Sequence, residues 1–139
     1  MGRGPEARAI DCLKRAKAEG LHTAVDTAGA VVWDKFEMVL PYADLFLYDI
    51  KAIDPAIHKK YTGSSNELIL ANYERLLERG THVWVRVPVI PGCNDGTEQD
   101  RIRAYLATHA PEKTEFLPYH RMGDGKWAAL AAAAGNNRI

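Results

Sequence analysis

The chain has 139 residues, enough for one domain with a real hydrophobic core, and its 47% hydrophobic and 26% charged residues are ordinary for a globular protein. Eighteen basic residues balance eighteen acidic ones, so no net field draws nucleic acid or an anionic membrane, and a small-molecule site or a protein partner is expected instead. No apolar run approaches the ~20 residues of a transmembrane helix, and residues 1–5 have no signal-peptide core, so the expected compartment is the cytoplasm. Cys12 and Cys93, the only cysteines, make neither a disulfide framework nor a zinc site. Cys12 lies on a helical pattern and reads as a small buried hydrophobe, whereas Cys93 follows Pro91-Gly92 in a more exposed turn.

Taken in chain order, the pattern alternates helix and strand. Ala9, Ile10, Leu13 and Ala16 recur at helical spacing over 8–19, with Gly20 as the stop. A short strand is predicted over 21–26, a helix over 33–40 ended by Pro41, and a strand over 44–50 apolar enough to be buried on both faces. Asp54-Pro55 opens a short helix, with the aspartate as N-cap and the proline at the first helical position. The next helix, 66–79, carries Leu68, Ile69, Tyr73, Leu76 and Leu77 on one side and ends at Gly80. The clearest strand is 82–87; a charged amphipathic helix over 97–109 and a last strand over 114–119 follow. Strands separated by helices imply an α/β fold with parallel crossovers. A piece of a TIM-like β/α barrel and an open flavodoxin-like sheet both fit this order. Trp33, Trp84 and Trp127 read as packing residues.

Ligands of parallel α/β proteins bind at the carboxyl ends of the strands, and here those ends are polar. The first strand ends in Asp26-Thr27, followed by Ala28-Gly29, small enough for a close backbone approach. On the second, the period of two places Asp49 and Lys51 on one face, as suits a zwitterionic ligand or a cation. Arg86 shares a face with Trp84 and Pro88, and if buried it needs a partner. The last strand leads to His120. Alternatives stand beside each reading: Asp26 as an N-cap or turn residue, Asp49 and Lys51 as an ion pair, and Arg86 paired with one of these aspartates. His22, His58, His82 and His109 have no partner by spacing and read as structural or exposed.

Five segments in order then resemble a known family: Asp26-Thr27-Ala28-Gly29; Leu47-Tyr48-Asp49-Ile50-Lys51; Tyr61-Thr62-Gly63-Ser64-Ser65-Asn66; the run from Val85 through Pro88 and Pro91-Gly92-Cys93-Asn94-Asp95; and Leu117-Pro118-Tyr119-His120. They are similar to the motifs of radical S-adenosylmethionine (SAM) enzymes that activate glycyl radical enzymes, of the pyruvate formate-lyase-activating type. The resemblance runs from about residue 8 to 130 and includes Gly125-Lys126-Trp127. It implies a partial β/α barrel in which a [4Fe–4S] cluster reductively cleaves SAM and the 5′-deoxyadenosyl radical takes hydrogen from a glycine of the partner. By the same resemblance Lys51, Arg86 and His120 contact SAM, while Asp26, Thr27 and Asp49 line a monovalent-cation site. The implied partners are a glycyl radical enzyme such as pyruvate formate-lyase and an electron donor such as flavodoxin.

One departure matters. The family's C-x3-C-x2-C cluster motif does not occur in this chain, nor does the glycine-rich strand end that holds the SAM amino group. Residues 1–130 are accordingly expected to form the C-terminal part of a radical SAM partial barrel, with 131–139 a disordered tail and the cluster ligands elsewhere in a full-length parent. The competing expectations are a non-catalytic half-barrel that binds a partner or nucleotide, and a radical SAM enzyme acting on a small molecule.

Overall fold

In the computed structural model, residues 5–118 are described; His120, Trp127 and the expected tail at 131–139 lie outside them. The elements are α1 (Pro5–Ala18), β1 (Ala24–Thr27), α2 (Trp33–Val39) with a 3-10 turn over Leu40–Tyr42, β2 (Leu45–Asp49), α3 (Pro55–Thr62), α4 (Glu67–Glu78), β3 (Val83–Val89), α5 (Thr97–Thr108) and β4 (Lys113–Pro118). The four strands form one sheet in the order β1-β2-β3-β4, and every neighbouring pair is parallel. A doubly wound sheet must reverse its strand order at a switch point. No reversal occurs among the described strands, and this order suits the partial β/α barrel.

Crossovers of one hand put the helices on one face of such a sheet, and the burial pattern follows. Val25, Phe46, Tyr48, Val83, Val85 and Val87 point into a core completed by Phe36 and Val39 of α2, Ile69, Tyr73 and Leu76 of α4, and Ile102 and Leu106 of α5. Truncating a fully buried member such as Leu76 to alanine should cost roughly 2–5 kcal/mol. Phe36, Tyr48, Tyr73 and Tyr105 form a chain of rings with centroids 6.3, 5.5 and 6.1 Å apart. Burial pushes the Tyr48 and Tyr73 phenols far above their ordinary range, so both stay neutral donors. Tyr48 donates to the Ile69 carbonyl, and Tyr73 donates to that of His109 at 2.6 Å.

The alternate strand positions, Asp26, Leu47, Asp49, Trp84, Arg86 and Pro88, are only partly buried on the other face. That face is the interior side of the barrel. The sequence expectations need correction at three points. β1 starts at Ala24 rather than at 21, because Leu21 is exposed and Thr23 leaves the strand pattern to bond Asp44 and the Tyr42 carbonyl. Cys12 is exposed, on the solvent side of α1. Leu68 is exposed as well; the inward stripe of α4 is Ile69, Asn72, Tyr73 and Leu76. Asn66 does not cap α4 with its side chain, which is spent elsewhere. Asp54 caps α3 as expected, accepting from the N–H groups of Ala56 and Ile57. No described helix is long and apolar enough to cross a membrane.

Candidate functional site

The polar groups meet on the interior face, at the carboxyl ends of β1 and β2 and the middle of β3. Asp49 and Arg86 are register partners on adjacent strands, and Asp26 lies one strand further over. The Arg86 guanidinium spans the gap: Nη2 is 2.5 Å from Asp26 Oδ1 and 3.1 Å from Asp49 Oδ1, and Nε donates to that same Asp49 oxygen at 3.2 Å. Of the open readings for Arg86, pairing with the aspartates is the one observed, with both at once. Asp26 is a strand residue, neither an N-cap nor a turn. The three side chains remain 26%, 36% and 18% exposed (Arg86, Asp26, Asp49), so the cluster faces open space rather than being sealed in the core.

Lys51 follows two residues after Asp49. No salt bridge joins it to Asp49, and among the described residues its ammonium lies beside no carboxylate at ion-pair distance. The alternative reading of Asp49 and Lys51 as an ion pair is therefore not observed. The Thr27 hydroxyl is turned to the buried, helix side of the sheet, where it accepts the Gly29 N–H at 2.9 Å. His120 lies outside the described residues. Asp26, Asp49 and Arg86 are thus brought together, Lys51 follows just beyond the end of β2, and the hydroxyl of Thr27 is directed elsewhere. Where a cation was expected between Asp26 and Asp49 there is a guanidinium, and the described residues contain no cluster of three or more His, Cys, Asp or Glu side chains suited to a metal.

The motif Asp26-Thr27-Ala28-Gly29 builds the rim. Asp26 faces the site, Thr27 turns the chain, and Gly29 passes close over the Tyr48 ring with a φ of +76°. Asn72, buried on α4, donates to the carbonyls of Gly29 at 2.8 Å and Val31 at 2.6 Å and so holds this loop to the core. Sequence reasoning missed Asn72 and the buried polar residues Asn66, Asn94 and Glu98. The available signal was a polar residue inside an apolar helical stripe for Asn72, and a buried-type role for asparagines ending two loop motifs. Three of the histidines find partners that spacing did not reveal: His58 Nδ1 lies 2.7 Å from the Ser64 carbonyl, His82 Nδ1 2.5 Å from Glu112, and His109 Nε2 2.9 Å from Glu74. A second concavity of about 330 Å3, lined by His22, Asp44, Leu45, His82, Trp84 and Glu112, lies at the amino ends of the strands, away from this cluster.

Comparisons with known proteins show what the chain as a whole is similar to. The choline trimethylamine-lyase activating enzyme of Oleidesulfovibrio alaskensis is 41% identical over 131 residues, which are 91% of this chain and 42% of that protein. The pyruvate formate-lyase-activating enzyme of Streptococcus mutans is 38% identical over 129 residues, 87% of this chain and 49% of that protein. The chain therefore spans less than half the length of these curated relatives. A solved domain of pyruvate-formate lyase-activating enzyme from Bacteroides vulgatus superposes with a TM-score of 0.76 at 28% identity, covering 99% of this chain and 91% of that one. The sequence pattern of the radical SAM superfamily matches residues 3–103, which carry β1, β2 and β3 with the Asp26–Arg86–Asp49 cluster, and on that match this chain belongs to the radical SAM superfamily.

Proposed function

We propose that this chain is the SAM-side part of an activating enzyme that installs a glycyl radical on a partner enzyme. The observation that carries the reading is the alignment of nearly the whole chain with enzymes that activate several different lyases and dehydratases, at 37–41% identity. Because those partners differ, what is carried over is the shared chemistry, with a glycyl radical enzyme such as pyruvate formate-lyase as the class of partner. Residues 1–130 then belong to a larger barrel working in the cytoplasm with a one-electron donor such as flavodoxin.

The residues present fit SAM. Its amino-acid end is a zwitterion and its ribose offers hydroxyls; the site offers a guanidinium held by two carboxylates, and Lys51 two residues beyond Asp49 offers an ammonium. Lys51 gives a charge-assisted hydrogen bond to a carboxylate or ribose oxygen. Arg86, already anchored by Asp26 and Asp49, keeps its fork oriented, so less side-chain freedom is lost on binding. By the family resemblance His120, outside the described residues, would add a further donor. Asp26, Asp49 and the Thr27 backbone form the polar wall beside the ligand's charged end, where a monovalent cation would need Arg86 to swing aside. One-electron cleavage of SAM is the chemistry by which such enzymes take a hydrogen atom from a glycine.

The residues present do not fit a [4Fe–4S] cluster. Three grouped thiolates are required, whereas Cys12 sits exposed on α1 and Cys93 in the loop between β3 and α5. The cluster ligands would come from sequence outside this chain. The test is radical formation: the polypeptide that joins this chain to a C-x3-C-x2-C segment, reduced anaerobically with SAM, should produce a glycyl radical doublet by electron paramagnetic resonance on a partner glycyl radical enzyme. SAM cleavage without any radical on a panel of such partners would overturn the reading in favour of a small-molecule substrate.

A further inference from the structure

Three buried polar side chains converge on one short stretch of backbone, the loop 51–54 that follows β2. Asn94 Nδ2 donates to the Lys51 carbonyl at 2.8 Å and to the Pro88 carbonyl at 2.7 Å, while its Oδ1 accepts the Ile90 N–H at 2.7 Å. Asn66 Nδ2 donates to the carbonyls of Ala52 at 3.0 Å and Ile53 at 2.8 Å. Glu98 Oε2 accepts from the N–H groups of Ile53 at 2.6 Å and Asp54 at 2.9 Å, and Arg101 balances its other oxygen at 3.0 Å. All three are at most 2% exposed. Burying a carboxylate and two primary amides is costly unless each is satisfied, and here each is satisfied by this loop.

The reason lies in the sheet. The last rung between β2 and β3 is the Ile50 N–H donating to the Arg86 carbonyl at 3.1 Å. The next parallel rung would require a donor at position 88, and Pro88 has none. The ladder stops there, one residue short of Lys51, and the Asn94 amide takes its place by bridging Lys51 and Pro88. The motifs that deliver these groups otherwise have no role in the site. Gly63 ends α3 with a φ of +82°, and His58 and Thr62 bond the Ser64 carbonyl, which brings the chain round to Asn66. The turn through Gly92 returns Asn94 towards β3.

We propose that Asn94, backed by Asn66 and Glu98, is a positioning residue that holds Lys51 towards the ligand beyond the end of the hydrogen-bonded sheet. The inference rests on the reading of Lys51 as a SAM contact. Asn94 touches no ligand itself; it acts through the lysine.

A double-mutant cycle on SAM affinity tests this, by calorimetric titration of the cluster-reconstituted enzyme that contains this chain. Lys51→Ala and Asn94→Ala should each raise the SAM Kd roughly tenfold, and the double variant should be no worse than Lys51→Ala alone. Hydrogen exchange without SAM gives a second readout: Asn94→Ala should speed exchange across 50–54 while α4 and β3 keep their protection. If Asn94→Ala fails to fold, Glu98→Ala and Glu98→Gln act on the same loop; the alanine should weaken SAM binding, and the glutamine, which keeps an acceptor oxygen, should largely restore it. Effects of Lys51→Ala and Asn94→Ala that multiply, or an unchanged Kd in Asn94→Ala, would overturn the positioning role. An unchanged Kd in Lys51→Ala would remove the SAM contact itself, and the positioning role with it.

Discussion

Gly29 and Tyr48 approach so closely that a Cβ on residue 29 would lie 1.9 Å from the Tyr48 hydroxyl oxygen and 2.3 Å from its ring carbon. The tyrosine cannot yield: it is fully buried and its hydroxyl is bonded to the Ile69 carbonyl. The φ of +76° adds backbone strain for any residue with a side chain. Gly29→Ala should therefore destabilise the fold by roughly 2–4 kcal/mol, read as a drop in the denaturation midpoint. Adding Tyr48→Phe should not rescue it, because the clash with the ring carbon remains.

Acid sensitivity should trace in part to Asp44. The Lys17 ammonium, at 2.9 Å from both carboxylate oxygens, and the Thr23 N–H at 2.8 Å lower its pKa from an ordinary 3.8 to about 2. A lowered folded-state value means stability that is present above the ordinary value and lost as pH falls through about 2. In melts from pH 6 to pH 2, the advantage of the native chain over Asp44→Asn should stay constant down to about pH 5 and then shrink. A constant gap across the whole range would mean that the Asp44 carboxylate is not held in this way.

Much of the fold was legible because hydrophobic period and helix stops carry it: Asp54-Pro55, Gly80 and the alternation around Arg86 all appear where the pattern puts them. The start of β1 was not, since Leu21 and His22 are exposed and Thr23 is claimed by a carboxylate 21 residues away. Site residues on strands were legible for the same reason of period, so Asp26 and Asp49 could be put at strand ends and Arg86 on one face with Trp84 and Pro88. What could not be read was which way an arginine would pair, because that depends on register between strands 37 and 60 residues apart. Asn66 and Asn94 stood out only as members of loop motifs, and the partners of these two and of Glu98 could not be read, since those are backbone groups distant in sequence.

Iron uptake separates this chain from the cluster-bearing polypeptide proposed around it. With Cys12 on a helix surface and Cys93 in a loop, anaerobic reconstitution of the 139-residue chain alone should yield no stoichiometric four-iron cluster and no charge-transfer absorbance. Iron and sulfide analysis checks this. Four irons per chain would show that the cluster ligands need not come from outside it.

Arg86 gives the sharpest test of the site, because its two possible roles move different measurements. As a structural cation it neutralises Asp26 and Asp49; as a ligand contact it also meets SAM. All three side chains are partly exposed, so solvent screening discounts the pairs, and Arg86→Met should cost roughly 1–3 kcal/mol of stability, mostly from two neighbouring carboxylates left facing each other. Stability alone therefore cannot decide. Under the ligand reading, folded Arg86→Met should bind SAM at least about tenfold more weakly, since a charge-assisted hydrogen bond is worth about 1.5–3 kcal/mol. Asp26→Asn supplies the control: Arg86 stays on Asp49 but loses its strongest partner, so SAM affinity should fall by only a few-fold as the fork loses its fixed aim. Arg86→Lys should restore stability better than affinity, because an ammonium is a point charge and cannot span Asp26 and Asp49 while presenting a planar fork. Calorimetric SAM titration paired with melting curves on the same variants reads both quantities. Wild-type SAM affinity in a folded Arg86→Met enzyme would leave Arg86 as a strut from β3 to β1 and β2 and nothing more.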